Sequence, residues 1–256
     1  MTMTLVRAEN LVVDFPIYGS RSRSLKNTLV RAATGGNLVR GAGEKIVVRA
    51  LDHVSFDLHE GDRVALIGHN GSGKSTLLRV LAGAYEPVSG ELAVNGRVAS
   101  MLSLSIGTDT EATGRENIRL LSVLFGLSDT EIERKTQEIE AFTELGAYLD
   151  MPLRTYSSGM ALRLGFAVAT SVDAEIILMD EWVSVGDALF VEKADQRLHE
   201  FVERAGLLVL ASHTPDLLRK ICNKAMLLEH GKVLAFGPLE EVLAIYDPGE
   251  KALPNV

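Results

Sequence analysis

The stretch GHNGSGKST (Gly68–Thr76) decides the fold. Gly68, Gly73, Lys74 and Ser75 occupy the fixed positions of a phosphate-binding loop. Glycines let the backbone wrap a phosphate without side-chain clash, so successive N–H groups point inward. The flanks fit: RVALIG ahead of the loop reads as a short buried strand. KSTLLRVLAG after it reads as a helix with Leu77, Leu78 and Leu81 on one side, stopping near Gly83. The positive N-terminal end of that helix faces the same anion. Gly68, His69, Asn70, Gly71, Ser72, Gly73, Lys74, Ser75 and Thr76 are the candidate nucleotide contacts. Lys74 is placed to reach the β- and γ-phosphates and Ser75 to ligate Mg²⁺.

Two further strands end in chemistry. EIILMDEW (Glu175–Trp182) is an apolar run closing in two acids. Asp180 is expected to hold Mg²⁺ through water and Glu181 to polarise the attacking water. LLVLASHTPDL puts His213 at the end of the next apolar strand, where α/β folds collect ligand residues and where it can hydrogen-bond a γ-phosphate. A charged helix, about Leu189 to Glu203, separates these two strands. AMLLEHGKVLAFG reads as a hairpin turning at His230 and Gly231. Strands alternating with helices indicate an α/β core. The middle third is mostly helical and reads as an inserted subdomain; TGRE and SDTE carry capping-box spacing at Thr113…Glu116 and Ser128…Glu131.

The N-terminal part differs in charge. The whole chain has net charge −8, which disfavours a nucleic-acid partner. Residues 1–50 hold eight Lys or Arg against three acids, a local net of +5. LVRAENLVVDF reads as a strand, and VVRALDHVSFDLHEGD alternates as another. Between them, SLKNTLVRAA has helical spacing inside a Gly/Ser/Arg-rich insertion over 17–49. Its basic run is either a solvated loop or a segment lying near anionic lipid headgroups. Cys222 is the only cysteine, so an intrachain disulfide is impossible. The N-terminus has no apolar signal core, and the apolar runs are far short of the roughly 20 residues a membrane helix needs.

The order of phosphate loop, YSSGM (Tyr156–Met160), LMDE, SVGD and His213 resembles the ATP-binding-cassette ATPases over roughly residues 5–240. The resemblance implies a phosphate-loop nucleoside triphosphatase with a RecA-like core, an antiparallel β-subdomain and an inserted helical subdomain at about 103–172. The cassette would span 1–245, with 246–256 as a tail. It implies ATP and Mg²⁺ as ligands and a homodimer that sandwiches two ATP molecules head to tail. The signature of one subunit, usually LSGGQ, caps the ATP of the other. Here Tyr156 stands for the leucine, Ser157 for the serine, Ser158 and Gly159 for the glycines and Met160 for the glutamine. A hydroxyl and a bare backbone at a helix start survive, aimed at the γ-phosphate. Arg163 matches the arginine after the signature, and Asp187 the aspartate of the loop crossing the dimer interface.

The departures narrow the resemblance. YSSGM, DEW…VGDALF, the insertion and TGREN (Thr113–Asn117) occur together, as in the ATPase subunits of bacterial polysaccharide exporters. That group moves O-antigen, teichoic acid or related lipid-linked glycans. A location on the cytoplasmic face of the inner membrane is implied, docked on a permease dimer, with the basic insertion near the membrane. Adenine would stack on Phe15 or on Tyr18. The position that normally holds a glutamine or glutamate near Mg²⁺ falls on Ser103, so a bridging water, Glu111 or Asp109 replaces it, or coupling there is weakened. The chain ends soon after the expected cassette end, so a C-terminal carbohydrate-binding domain is expected to be absent. Repair-type cassettes carry a long coiled coil before the signature, and translation-type cassettes usually pair two ATPase domains; neither fits. A binding module with little turnover is disfavoured by Asp180, Glu181 and His213.

Overall fold

The computed structural model describes residues 3–16, 37–40, 46–102, 107–182 and 188–246. Tyr18, Ser103, Asp187, the basic helix expected within the insertion and the C-terminal tail lie outside them. The chain divides into two compact units, Met1–Gly96 with Leu178–Glu181 and Gly206–Val256, and Arg97–Ile177 with Trp182–Ala205.

The first unit holds an antiparallel sheet of order β2-β3-β1-β5, with β1 Thr4–Pro16, β2 Asn37–Arg40, β3 Ile46–His59 and β5 Ser89–Val94. Within residues 17–49, β2 pairs with the start of β3 from Asn37↔Arg49 to Arg40↔Ile46. Leu5, Val6, Ala8, Leu11, Val12 and Val13 of β1 are buried.

The same unit carries β4 (Arg63–Ile67), flanked in parallel by β8 (Leu207–Ala211) and β9 (Lys224–Glu229). Its sheet runs β10-β9-β4-β8-β7, with β7 Ile176–Asp180 and β10 Lys232–Pro238. Every residue of β8 is buried, as expected of a central strand in a parallel sheet covered on both faces. The parallel register Leu66↔Ala211 brings the C-terminal ends of β4 and β8 side by side. The β9–β10 hairpin turns where expected, with His230 at φ 49° and Gly231 at φ 79°, the left-handed pair of a type I′ turn. Among the described residues of the unit, the helices are α1 (Lys74–Leu81), α6 (Pro215–Ile221) and α7 (Leu239–Ile245).

In the second unit α2 (Gly114–Leu124), α3 (Asp129–Thr143), α4 (Ser158–Ala169) and α5 (Ala188–Arg204) accompany β6 (Val98–Ser100). Both capping boxes form, at Thr113/Glu116 and Ser128/Glu131. Hydrogen bonding to Arg97 and to Ser128 pulls the Glu131 carboxyl down to about 2. Phe142 stacks on Phe166 at 6.1 Å between ring centres, with Arg197 4.3 Å from its own centre. Among the described residues no helix is long and apolar enough to cross a membrane.

Candidate active site

In the first unit, β4 delivers the chain into a loop that only glycine backbones allow. Gly68, Gly71 and Gly73 have φ of 139°, 80° and 113°. A Cβ on Gly68 would lie 2.1 Å from the Leu228 carbonyl oxygen, and one on Gly73 2.8 Å from that of Ala50. The loop is therefore pressed against β9 and β3. Ser72 is fully buried, and its carbonyl accepts from Gly231 N–H at 2.9 Å. The loop feeds α1, whose N-cap is Gly73 with no side-chain cap, so its first N–H groups face the adjoining space.

A cavity of about 330 Å³ opens there, lined among others by Phe15, Asn70, Lys74, Ser75, Asp180 and His213. Gly71, Gly73 and Thr76 also line it, with Val48 and Ala50 as apolar wall. Lys74 Nζ donates to the carbonyls of Gly68 (2.7 Å) and His69 (3.1 Å). Burial pushes its pKa down, opposed by the carboxylates of Asp180 and Glu181. Ser75 Oγ donates to Asp180 Oδ2 at 2.7 Å. Two hard oxygen donors side by side at the mouth of an anion-binding loop fit Mg²⁺, which takes one or two protein oxygens and keeps phosphate and water for the rest.

Glu181 follows β7 with φ 77°, a left-handed backbone rare for a non-glycine residue. Its N–H donates to Ala211 O at 2.8 Å, and Ser212 Oγ donates to its Oε2 at 2.9 Å. Ser212 was missed by sequence reasoning; the signal was its place beside His213, a hydroxyl at the end of a strand next to an acid-tipped one. Phe15 meets Tyr85 edge-on at 5.3 Å. Among the phosphate-loop residues, Gly68, His69 and Ser72 do not line the cavity. His69 turns toward the β9–β10 turn, its ring 5.0 Å from that of His230.

The signature lies in the second unit. Ser157 is the N-cap of α4, and its Oγ accepts from Met160 N–H at 3.2 Å, leaving the hydroxyl proton to donate elsewhere. Ser157 and Ser158 are exposed. A Cβ on Gly159 would meet only Ser157 Oγ, at 3.9 Å, so the subunit's own fold does not require that glycine. Tyr156 Oη donates to Tyr148 O at 2.7 Å, and a Cβ on Gly114 would lie 2.1 Å from that hydroxyl. Gly114 and Tyr156, read as separate labels in sequence, are one packing unit. Asn117, fully buried, donates to the carbonyls of Asp109, Ala112 and Thr113 and accepts from Asp109 N–H. Arg163 reaches Thr143 O at 3.3 Å, its guanidinium 4.0 Å from the Phe190 ring centre. Glu111 pairs with Arg154, and Asp109 accepts from Glu111 N–H.

The sequence profile of the ABC transporter family matches residues 51–184. The O-antigen export system ATP-binding protein RfbE of Yersinia enterocolitica is 48% identical over 231 residues, covering 90% of this chain and 97% of that protein. The teichoic acids export ATP-binding protein TagH of Lactococcus lactis is 38% identical over 242 residues, covering 94% of this chain and 50% of its own length. A solved ATP-binding subunit of an ABC transporter superposes with TM-score 0.68 at 24% identity, over 94% of this chain and 93% of that one. A dimeric ATP-binding cassette bound to ADP and phosphate superposes with TM-score 0.65 at 20% identity, over 91% and 98%. The chain belongs to the ABC transporter family, as an ATPase subunit homologous to the ATP-binding proteins of O-antigen and teichoic-acid export.

Proposed function

We propose that this subunit hydrolyses ATP to drive export of a lipid-linked polysaccharide of the O-antigen class. The observation that supports ATP chemistry best is one cavity bordered by the phosphate loop, the Ser75–Asp180 pair and His213. The substrate class leans on the 48% identity to an O-antigen export ATP-binding protein. Related glycans such as teichoic acid are the second reading, favoured by the 38% relative.

The phosphate-loop N–H groups and the start of α1 cradle the phosphates. Lys74 leaves its contacts with Gly68 O and His69 O to meet the β- and γ-oxygens, a short move for a flexible side chain. Ser75 and Asp180 would hold Mg²⁺, which when bound offsets phosphate charge. Glu181, steadied by Ser212, accepts the proton of the attacking water. His213 hydrogen-bonds the γ-phosphate, and Phe15 offers its face to adenine. Ser157, with Ser158, Gly159 and Met160, caps the ATP of a second subunit, and Asp187 serves that interface. The homodimer docks on a permease dimer at the cytoplasmic face of the bacterial inner membrane, and the basic insertion contacts that membrane.

The Glu181→Gln variant tests this. It keeps the size and the Ser212 hydrogen bond but lacks a base, so hydrolysis is expected to fall at least about 10²-fold. ATP-bound dimers then accumulate on size-exclusion chromatography. Unchanged turnover would remove Glu181 from the role. Purification from native membrane is expected to bring down an integral permease; recovery with a soluble nucleic-acid complex would overturn the exporter reading.

A further inference from the structure

Apart from the residues that line the nucleotide cavity, ligand atoms of His69, Glu229 and His230 lie within 4.8 Å of one another, a trio among the described residues able to hold a metal ion. The geometry points to a binding site for a Zn²⁺-class divalent transition metal, separate from the Mg²⁺ that accompanies ATP. His69 Nδ1 lies 2.8 Å from Asn70 O, and a carbonyl only accepts, so Nδ1 carries the proton. The lone pair of the neutral ring is therefore on Nε2. That atom is buried and has no hydrogen-bond partner. An imidazole fixed by a backbone carbonyl through one nitrogen, with the other nitrogen unmet, is the arrangement that metal-ligating histidines adopt. Two imidazoles on one tetrahedral ion, each with a metal–nitrogen distance of about 2.1 Å, have ring centres about 5 Å apart. The His69 and His230 rings are 5.0 Å apart, tilted by 57°.

The two ligand-bearing segments are already locked together. Gly231 N–H donates to Ser72 O, and the Gly68 backbone abuts the Leu228 carbonyl so closely that no Cβ fits. The left-handed backbone of His230 breaks strand alternation, so the side chains of Glu229 and His230 converge instead of opposing each other. Little ordering remains for an ion to impose. Two nitrogens and one carboxylate suit zinc, cobalt or nickel rather than magnesium, and leave a fourth position open. Occupancy would add a side-chain clamp between the phosphate loop and the hairpin.

Untagged protein is titrated with Zn²⁺ by calorimetry in excess Mg²⁺, and with Co²⁺ by visible absorption. One-to-one binding in the micromolar range is expected, with the strong visible bands of four-coordinate cobalt. His230→Asn keeps a residue that tolerates the left-handed turn but removes the imidazole. It is expected to weaken Zn²⁺ binding at least tenfold, as is Glu229→Gln. Zn²⁺ should raise the melting temperature of the wild type and not of His230→Asn. Absence of one-to-one binding, or equal affinity in wild type and His230→Asn, would overturn the site.

Discussion

Gly68 has no room for a side chain, because β9 occupies the place where one would go. A Cβ there meets backbone, which cannot swing aside, and the residue holds φ 139°. Gly68→Ala is expected to cost at least about 2–3 kcal/mol, combining overpacking with backbone strain. Thermal melting reads this as a drop of several degrees, and nucleotide titration as lost ATP affinity. A melt matching the wild type would mean that the loop does not pack on Leu228. The phosphate-loop pattern was legible at once, since its residue types and spacing are set by local backbone chemistry. The packing partners Leu228 and Ala50 were not, because they are brought up by strands far away in sequence. The same limit hid Ser212 and the turning away of His69 from the cavity.

Element-scale readings held where a local signal closed on itself. Both capping boxes formed, since donor and acceptor lie three residues apart and need no tertiary help. The β9–β10 hairpin held for the same reason. Within the insertion read over 17–49, β2 is sheet by virtue of its pairing with β3, a partner the local composition does not announce. At the head of α2, TGREN is a structural device: Thr113 and Glu116 cap, Gly114 clears space for Tyr156, and Asn117 ties down residues 109–113. Gly114→Ala should therefore destabilise by about 1–3 kcal/mol through overpacking. Tyr156→Phe, which removes the clashing hydroxyl, should cost about 1 kcal/mol alone and relieve much of the Gly114→Ala penalty when combined. Melting of the four proteins of this cycle measures the coupling, and strict additivity would contradict the clash.

For the whole molecule, the proposed dimer makes a prediction that one subunit cannot. A Cβ on Gly159 would meet only Ser157 Oγ, at 3.9 Å, and Ser157 still has a proton to donate, so both have capacity that the subunit itself leaves unused. Lys74→Ala and Ser157→Ala homodimers should each hydrolyse ATP poorly. Mixing them gives heterodimers with one intact site, so about a quarter of wild-type activity should return if symmetric pairing is random. No recovery would argue against head-to-tail pairing. Ser157→Ala also loses an N-cap worth about 1 kcal/mol, so a melt of each variant separates folding from chemistry. The sequence by itself determined the phosphate loop, the strand-end acids, the helix caps and the family resemblance, because each is written in residues adjacent or regularly spaced along the chain. Only the tertiary structure decided which atoms meet: Ser75 with Asp180, Ser212 with Glu181, Tyr156 beside Gly114, and His69 beside His230. Those meetings depend on strand order and register, which are set by burial of the whole sheet and not by any one segment.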